Sequence, residues 1–148
     1  MILADTNVLS ALLHEADRAV IEPWLDRQSR GSMWISVVTA AELRHGVAIL
    51  PAGRRREALD AWCERTLARF TEDGRVAPFD LTATRHFASG MAAARAAGRE
   101  VKSFADAAIA ATALERRFAV ATRDTGPFIA MGCEVIDPWA EGSVAGNR

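Results

Sequence analysis

Four carboxylic acids in this sequence stand where predicted strands end or where predicted helices begin. Asp5 directly follows the apolar run Met1–Ala4, and Asp124 comes two residues after another apolar run. Glu42 and Asp106 each lie three residues after a Thr or Ser that could begin a helix. Carboxylates held close together repel one another unless protons or cations compensate their charge. Hard divalent cations, Mg²⁺ or Mn²⁺, fit such a group, and they activate water and stabilise phosphoryl oxygens.

Asp5 and Asp124 also have ordinary structural interpretations, which the sequence leaves open. Asp is a favoured N-cap residue, so Asp5 could cap the first helix, although Thr6 or Asn7 could do this equally well. We expect Thr6 or Asn7 to be the cap, because this leaves Asp5 free to bind a metal. Asp124 could simply be a turn residue, which is a common position for Asp.

Glu42 and Asp106 both fit a capping box. In the segments Thr39–Glu42 and Ser103–Asp106, the acid could return to the backbone N–H of the first residue. This role is compatible with a metal site, because a carboxylate in the first turn of a helix points back over that end. The acids on helix faces beside arginines are interpreted as solvated surface: Asp17, Asp26, Glu57, Asp60, Glu64 and Glu115.

Strands and helices that would position the four acids alternate along the whole chain. Hydrophobic patterns predict five strands, at residues 1–4, 33–38, 75–79, 118–122 and 134–136. Helical patterns separate them, at residues 8–13, 17–30, 39–50, 54–72, 81–97, 103–117 and 126–131. This alternation is typical of a three-layer α/β/α sandwich around a mostly parallel sheet. Ligands bind such sheets outside the carboxyl ends of the strands, so we expect the acids to meet there.

Length and composition favour one ordinary globular domain. The 148 residues fit a single domain at 1–139 and a flexible tail at 140–148. The net charge of −1 gives no bulk attraction for nucleic acid, although metal-neutralised acids would leave a more basic surface. Two cysteines form no disulfide framework, and no apolar run has the length of a membrane span. We expect a cytoplasmic protein that does not associate with membranes.

Other chemistries have less support in the sequence. His14, His45 and His86 are scattered, and neither a Gly-rich phosphate loop nor a Gly-x-Ser-x-Gly elbow is present. A phosphatase of the HAD type would need a second Asp two residues after the first, where this chain has Asn7. A receiver-like signalling module would need a lysine after its last strand, but the single lysine, Lys102, precedes a predicted helix.

The segments around the four acids resemble the PIN-domain family, and specifically its VapC-type toxin ribonucleases. They occur in the family's order over nearly the whole chain: Leu3–Ser10, Ser36–Gly46, Ala105–Ala113 and Val120–Asp124. Two more segments resemble the FitB-like branch of the family: Pro51–Arg55 and Val135–Trp139. The chain departs from the family pattern at Lys102–Phe104, where a proline often precedes Ala-Asp, but Asp106 is in place.

The resemblance implies a five-stranded parallel sheet of order 3-2-1-4-5 and Mg²⁺- or Mn²⁺-dependent cleavage of RNA. The catalytic and metal-binding acids would be Asp5, Glu42, Asp106 and Asp124. Residues of the family that support the acids or the phosphate correspond to Thr6, Asn7 and Thr122. We further predict phosphate contacts near the sheet edge from Arg44, Lys102 and Arg123.

Partners are also implied by the resemblance. Members of the family form homodimers and are silenced by a small antitoxin, here of the VapB/FitA-like kind, whose tail fills the acidic site. The predicted function is therefore that of an endoribonuclease toxin in a toxin–antitoxin pair. The alternative is a DNA-bound toxin–antitoxin regulatory complex in which this protein acts mainly as a dimerising partner.

Overall fold

A computed structural model of the protein describes residues 1–29 and 31–140. Five strands form one sheet: β1 (Ile2–Ala4), β2 (Met33–Ser36), β3 (Val76–Ala77), β4 (Ala119–Ala121) and β5 (Val135–Ile136). Seven helices connect them: α1 (Thr6–Ser10), α2 (Glu15–Asp26), α3 (Val37–Ala48), α4 (Arg54–Glu72), α5 (Ala83–Ala96), α6 (Phe104–Arg116) and α7 (Thr125–Ala130). Residues 138–140, after β5, are also helical. A short 3₁₀ turn, Ala11–Leu13, extends α1. Of the predicted tail at 140–148, all but the first residue lies outside the described residues.

The sheet confirms the predicted topology. Its strand order is β3-β2-β1-β4-β5, and every neighbouring pair is parallel. β1 lies at the centre, with Ala4 opposite Ala121 of β4. The order reverses between β1 and β4, and ligands bind parallel sheets at such a switch point. The carboxyl ends of these two strands are therefore the natural place for a functional site.

Two hydrophobic cores cover the two faces of the sheet, as a three-layer sandwich requires. Successive strand residues point to opposite faces, so Leu3 joins one core and Ala4 the other. The core around Ala4 includes residues of α1 to α4, and that around Leu3 includes residues of α5 to α7. In α6, all seven residues of the run Ala107–Ala113 are buried. Small side chains on every face let this helix pack closely against its neighbours.

The second strand ends two residues earlier than predicted. The β-branched pair Val37 and Val38 favours a strand, but α3 already begins at Val37. Ser36 is the N-cap, with φ −92° and ψ 160°, and its Oγ accepts a hydrogen bond of 2.9 Å from the backbone N–H of Thr39. Glu42 consequently lies in the second turn of α3, and its predicted capping box with Thr39 is wrong.

The other differences are at element ends. Strand β3 has two residues where five were predicted, because Pro78 follows it and has no N–H to donate. It lies at the edge of the sheet, as Pro78 required. Helix α2 begins at Glu15 and contains Pro23. No helix in the described ranges is long and apolar enough to cross a membrane.

Gly90 allows α5 to pack against the end of α7, and we expect Gly90→Ala to destabilise the protein by about 1–2 kcal/mol. A Cβ atom there would lie 2.7 Å from Met131 Cε and 3.3 Å from the Met131 carbonyl oxygen. The methionine side chain can move aside, but the carbonyl oxygen belongs to the backbone. Urea unfolding of the variant and of the parent measures the difference.

The matched control is Gly46→Ala in α3, where an added Cβ meets nothing within 4 Å. Alanine has the higher helix propensity, so this substitution should leave stability unchanged or raise it by up to about 1 kcal/mol. Equal effects of the two substitutions would contradict the close approach of α5 and α7.

Candidate functional site

Asp5 directly follows the central strand with an extended backbone, and the residue is almost completely buried, with 5% of its surface exposed. Its Oδ1 accepts a hydrogen bond of 2.7 Å from the backbone N–H of Thr6. Its Oδ2 accepts bonds of 2.8 Å from Asn7 Nδ2 and from Thr122 Oγ1. Asp5 is thus itself the N-cap of α1, and the prediction that Thr6 or Asn7 would be the cap is wrong. A carboxylate has about four acceptor sites, so capping leaves room for a further ligand.

Asn7 and Thr122 connect the ends of β1 and β4. Asn7 Nδ2 lies 2.9 Å from Thr122 Oγ1, and Asn7 Oδ1 accepts a bond of 3.2 Å from the backbone N–H of Arg123. Thr122 Oγ1 also accepts a bond of 3.1 Å from the backbone N–H of Asp124. The two side chains therefore fix the orientation of the Asp5 carboxylate and the path of the chain after β4.

The other three acids approach Asp5 from three different elements. Glu42 projects from α3, and its Oε2 accepts a short hydrogen bond from Thr6 Oγ1. Asp106 lies in the first turn of α6, where Ser103 is the N-cap and its Oγ accepts a bond of 3.1 Å from the Asp106 N–H. Asp124 stands at the N-cap position of α7, but its side chain makes no capping bond.

Electrostatic interactions show that the four acids form one group, which we call the acid site: Asp5, Glu42, Asp106 and Asp124. The pKa of Asp5 is raised to about 6, mainly by burial and additionally by the charges of Asp106 and Glu42, while hydrogen bonds from Thr122 and Thr6 oppose the shift. Burial also raises the pKa of Asp106, assisted by the charges of Glu42 and Asp124 and opposed by a hydrogen bond with Ser103. Like charges of the acid site thus add to the effect of burial at Asp5 and Asp106.

Within residues 1–29 and 31–140, none of the ion pairs includes a member of the acid site, so no basic side chain there compensates its charge by direct pairing. The side-chain donor set is oxygen throughout, without His or Cys, which fits a hard cation such as Mg²⁺ or Mn²⁺. Over the same residues, no three acidic, His or Cys side chains stand in a ready-made metal-ligand arrangement. The acids are thus close enough to influence one another's pKa, but their oxygen atoms do not surround a common point as the ligands of a bound metal would.

The three basic residues predicted to contact phosphate all have acidic partners. Arg44 makes two bonds of 2.8 Å to Glu64 of α4. Lys102 is 81% exposed and lies 3.8 Å from Glu100. The remaining one, Arg123, directly precedes Asp124 in the chain. Its guanidinium lies 3.2 Å from Asp17.

Asp17 and Trp139 are two residues beside the site to which the sequence pattern assigned no functional role. Asp17 was interpreted as solvated surface, yet its side chain is only 30% exposed and its Oδ1 accepts bonds from both Arg123 and Trp139. The residues bonded to Asp17 are 106 and 122 positions away along the chain. No local pattern in the sequence reports contacts over such a separation.

Fold and site together define a class of protein, since an all-parallel sheet of this order with four acids at its switch point is the arrangement expected of a PIN domain. The PIN domain family model matches residues 2–132, and this chain belongs to that family. Among curated proteins, it is 46% identical over 140 residues to "VapC ribonuclease Y4jK" of Sinorhizobium fredii, covering 94% of this chain and 98% of that protein. It is 38% identical over 139 residues to "Toxin FitB" of Neisseria gonorrhoeae, covering 94% and 99%.

A solved structure has the same fold over the same extent. The "Structure of FitAB bound to IR36 DNA fragment" contains a chain that superposes with a TM-score of 0.86 at 37% identity. The match covers 94% of this chain and 96% of that one. The fold is therefore shared with that chain over nearly its whole length.

Proposed function

We propose that this protein is a metal-dependent endoribonuclease and the toxin component of a toxin–antitoxin pair. The observation that carries the proposal is the acid site, in which four carboxylates share one sheet edge and have no basic partner among the described residues. Similarity to a protein named as a ribonuclease and to another named as a toxin supports the same function.

The acid site would hold Mg²⁺ or Mn²⁺ through carboxylate oxygens. Asp5 and Asp106 would be the direct ligands, because burial of these two acids makes compensation of their charge most favourable. Glu42 and Asp124 would complete the site. A cation bound there supplies the positive charge that makes water a stronger nucleophile and stabilises phosphoryl oxygens.

Three neighbouring side chains prepare the carboxylates for this role. Asn7 and Thr122 both donate to Asp5 Oδ2, so this oxygen is fixed before any ligand arrives. The Thr6 hydroxyl donates to Glu42 and holds that longer side chain over the same edge. Ligands that are already oriented lose less conformational freedom on binding.

Single-stranded RNA is the proposed substrate, since its backbone approaches an acidic edge only after bound metal has changed the sign of the local charge. Lys102 is the freest of the three predicted phosphate contacts, because its pairing with Glu100 is long and exposed. Arg44 and Arg123 would have to exchange their present carboxylate partners for phosphate.

We expect Asn7→Ala to reduce RNA cleavage about 10- to 100-fold, the usual loss when a residue that orients a metal ligand is removed. The substitution removes the bridge from Asp5 to Thr122 and Arg123. Gln28→Ala is the control, because within the described residues the Gln28 side-chain amide bonds the Trp24 carbonyl of α2, at 3.0 Å, and no residue near the acid site. Initial rates on one oligoribonucleotide measure both variants, and equal rates would contradict the orienting role of Asn7.

The experiment that tests the proposal combines purified protein with single-stranded RNA and, in parallel, single-stranded DNA. Cleavage of RNA with Mg²⁺ or Mn²⁺, abolished by EDTA, is the expected result. Cleavage of DNA alone, or of RNA in the presence of EDTA, would contradict it. Sequencing of RNA ends after induction in cells, against Asp5→Asn, then identifies the RNA and the cut site.

Partners follow from the same proposal. We expect a cytoplasmic homodimer that binds a VapB/FitA-like antitoxin, whose tail would occupy the acid site in competition with RNA. Sedimentation of the purified chain measures the dimer. A short reading frame beside the gene, co-expressed with this chain, provides the antitoxin, and we expect the two products to co-purify and cleavage to stop.

A second candidate function is that of a dimerising partner in a DNA-bound regulatory complex. It is favoured by the similarity to a chain of the FitAB complex, which is bound to a DNA fragment. The two functions differ in what the acids do. If the protein acts only as a dimerising partner, substitution of Asp5 or Asp106 changes neither the growth of cells that express it nor the integrity of their RNA. A ribonuclease toxin with the same substitution loses its activity.

A further inference from the structure

Three side chains from distant parts of the chain meet beside the acid site. Asp17 Oδ1 accepts hydrogen bonds from Arg123 Nη1 at 3.2 Å and from Trp139 Nε1 at 2.9 Å. The Arg123 Cζ atom lies 5.2 Å from the centroid of the Trp139 ring, a cation–π distance. Trp139 is held in turn by its backbone N–H, which donates to Asp137 Oδ1 at 2.9 Å. The guanidinium of Arg123 is thus fixed on two sides.

Through its backbone, Arg123 connects these contacts to the acid site. Its N–H donates to Asn7 Oδ1 at 3.2 Å, and Asn7 Nδ2 donates to Asp5 Oδ2 at 2.8 Å. The next residue is Asp124, whose own N–H donates to Thr122 Oγ1 at 3.1 Å. A movement of the Arg123 backbone would therefore displace Asp124 and weaken the contact to Asn7 together.

The position of the Asp124 carboxylate depends on the local backbone more than the positions of the other three carboxylates do. Asp5 and Glu42 accept hydrogen bonds from neighbouring side chains, and Asp106 interacts with the hydroxyl of Ser103. The exposed Asp124 carboxylate makes no capping bond to α7. Its backbone, at φ −91° and ψ 81°, is neither helical nor extended, so no regular element fixes the direction of the side chain.

We propose that Asp17, Arg123 and Trp139 form a clamp that positions Asp124 for binding of a divalent cation. The inference rests on the proposed function, because it takes Asp124 as a member of the cation site. The members of the clamp are positioning residues of the RNA-free protein, since they act on Asp124 through the chain at Arg123. Exchange of Asp17 for phosphate at Arg123 would belong to the later step of RNA binding. The clamp makes the segment after β5 a part of the site, although it lies outside the four acidic motifs.

A merely structural role would have different consequences. The pair of Arg123 and Asp17 is partly exposed, at 61% and 30%, and exposed ion pairs contribute little to the free energy of unfolding. Loss of the pair should therefore change cation affinity more than stability. Metal affinity without RNA is the readout that separates the two roles.

The test measures Mn²⁺ binding to the full chain by the loss of the free Mn²⁺ signal in electron paramagnetic resonance. Trp139→Ala and Asp17→Asn should each weaken binding about 10-fold, as loss of residues that orient ligands does. Trp139→Phe keeps the ring but loses the Nε1 donor, so its effect should be smaller. The matched controls are Asp26→Asn, also on α2, and Trp62→Phe on α4, and both should bind Mn²⁺ like the parent protein.

A double-variant comparison shows whether the clamp acts through Asp124. In a protein that already carries Asp124→Asn, the substitution Trp139→Ala should weaken Mn²⁺ binding no further, because coupled residues are not additive. The clamp would be overturned if Trp139→Ala and Asp17→Asn both bound Mn²⁺ like the parent while Asp124→Asn bound it more weakly. The proposed function would then still stand. Parent-like affinity in Asp5→Asn and Asp124→Asn would overturn the cation site and the clamp together.

Discussion

Asp5→Asn should reduce metal-dependent RNA cleavage by about 1,000-fold, equivalent to about 4 kcal/mol of transition-state stabilisation. Asp5 is the most buried of the four acids and the one to which three other side chains or backbone groups donate. The substitution preserves size and shape but removes the negative charge that would hold the cation. Rates on an oligoribonucleotide at saturating Mg²⁺ or Mn²⁺ measure the loss.

Asp106→Asn should cause a similar loss, because Asp106 shares the proposed direct ligand role. The matched control is Asp60→Asn, which removes an exposed carboxylate from α4 and should leave the rate unchanged. Circular dichroism establishes that each variant is folded. Undiminished cleavage by both Asp5→Asn and Asp106→Asn would end the proposal that the acid site carries the reaction.

Metal-free protein should become less stable as the pH rises from about 4 to about 6, to an extent on the order of 3 kcal/mol through Asp5 alone. The pKa of Asp5 is raised from 3.8 to about 6 in the folded protein. Between these two values, the folded state retains a proton that the unfolded state has released. The proton stabilises the folded state at low pH, and this contribution is lost as the pH passes the folded pKa.

Asp5→Asn isolates this contribution, because an amide does not titrate in this range. Between pH 4 and pH 7.5, the parent should lose about 3 kcal/mol of unfolding free energy relative to Asp5→Asn. Urea unfolding in EDTA measures it. At pH 7.5, Mn²⁺ should stabilise the parent and not Asp5→Asn. A difference that is constant with pH would show that Asp5 ionises normally.

Sequence pattern predicted the fold well because each strand and helix has a local hydrophobic signal. The alternation of strands and helices gave the sandwich, and the resemblance to the PIN family supplied the strand order, which the sheet confirms. The main boundary error, at Val37 and Val38, has a simple cause. These residues favour strands by propensity, but the Ser36 hydroxyl caps a helix that starts at once.

Roles of individual side chains were harder to predict, because they depend on contacts between distant parts of the chain. Glu42 was interpreted as a capping-box residue, but its partner is Thr6, 36 positions away. Asp5 does two things at once, since it caps α1 and belongs to the acid site. Local spacing identified these residues as important, and only the folded chain gives their partners.

The enclosed helix α6 has a consequence for how rigid the acid site is. Seven successive buried residues, Ala107–Ala113, follow Asp106 directly, so their backbone amides should be among the slowest in the protein to exchange hydrogen for deuterium. The amides of Arg123 and Asp124 lie outside any helix or strand and donate to the side chains of Asn7 and Thr122, so they should exchange sooner than those of α6. We therefore expect one wall of the site to belong to the least dynamic part of the domain, while the opposite wall is held in place by contacts between side chains from distant parts of the chain.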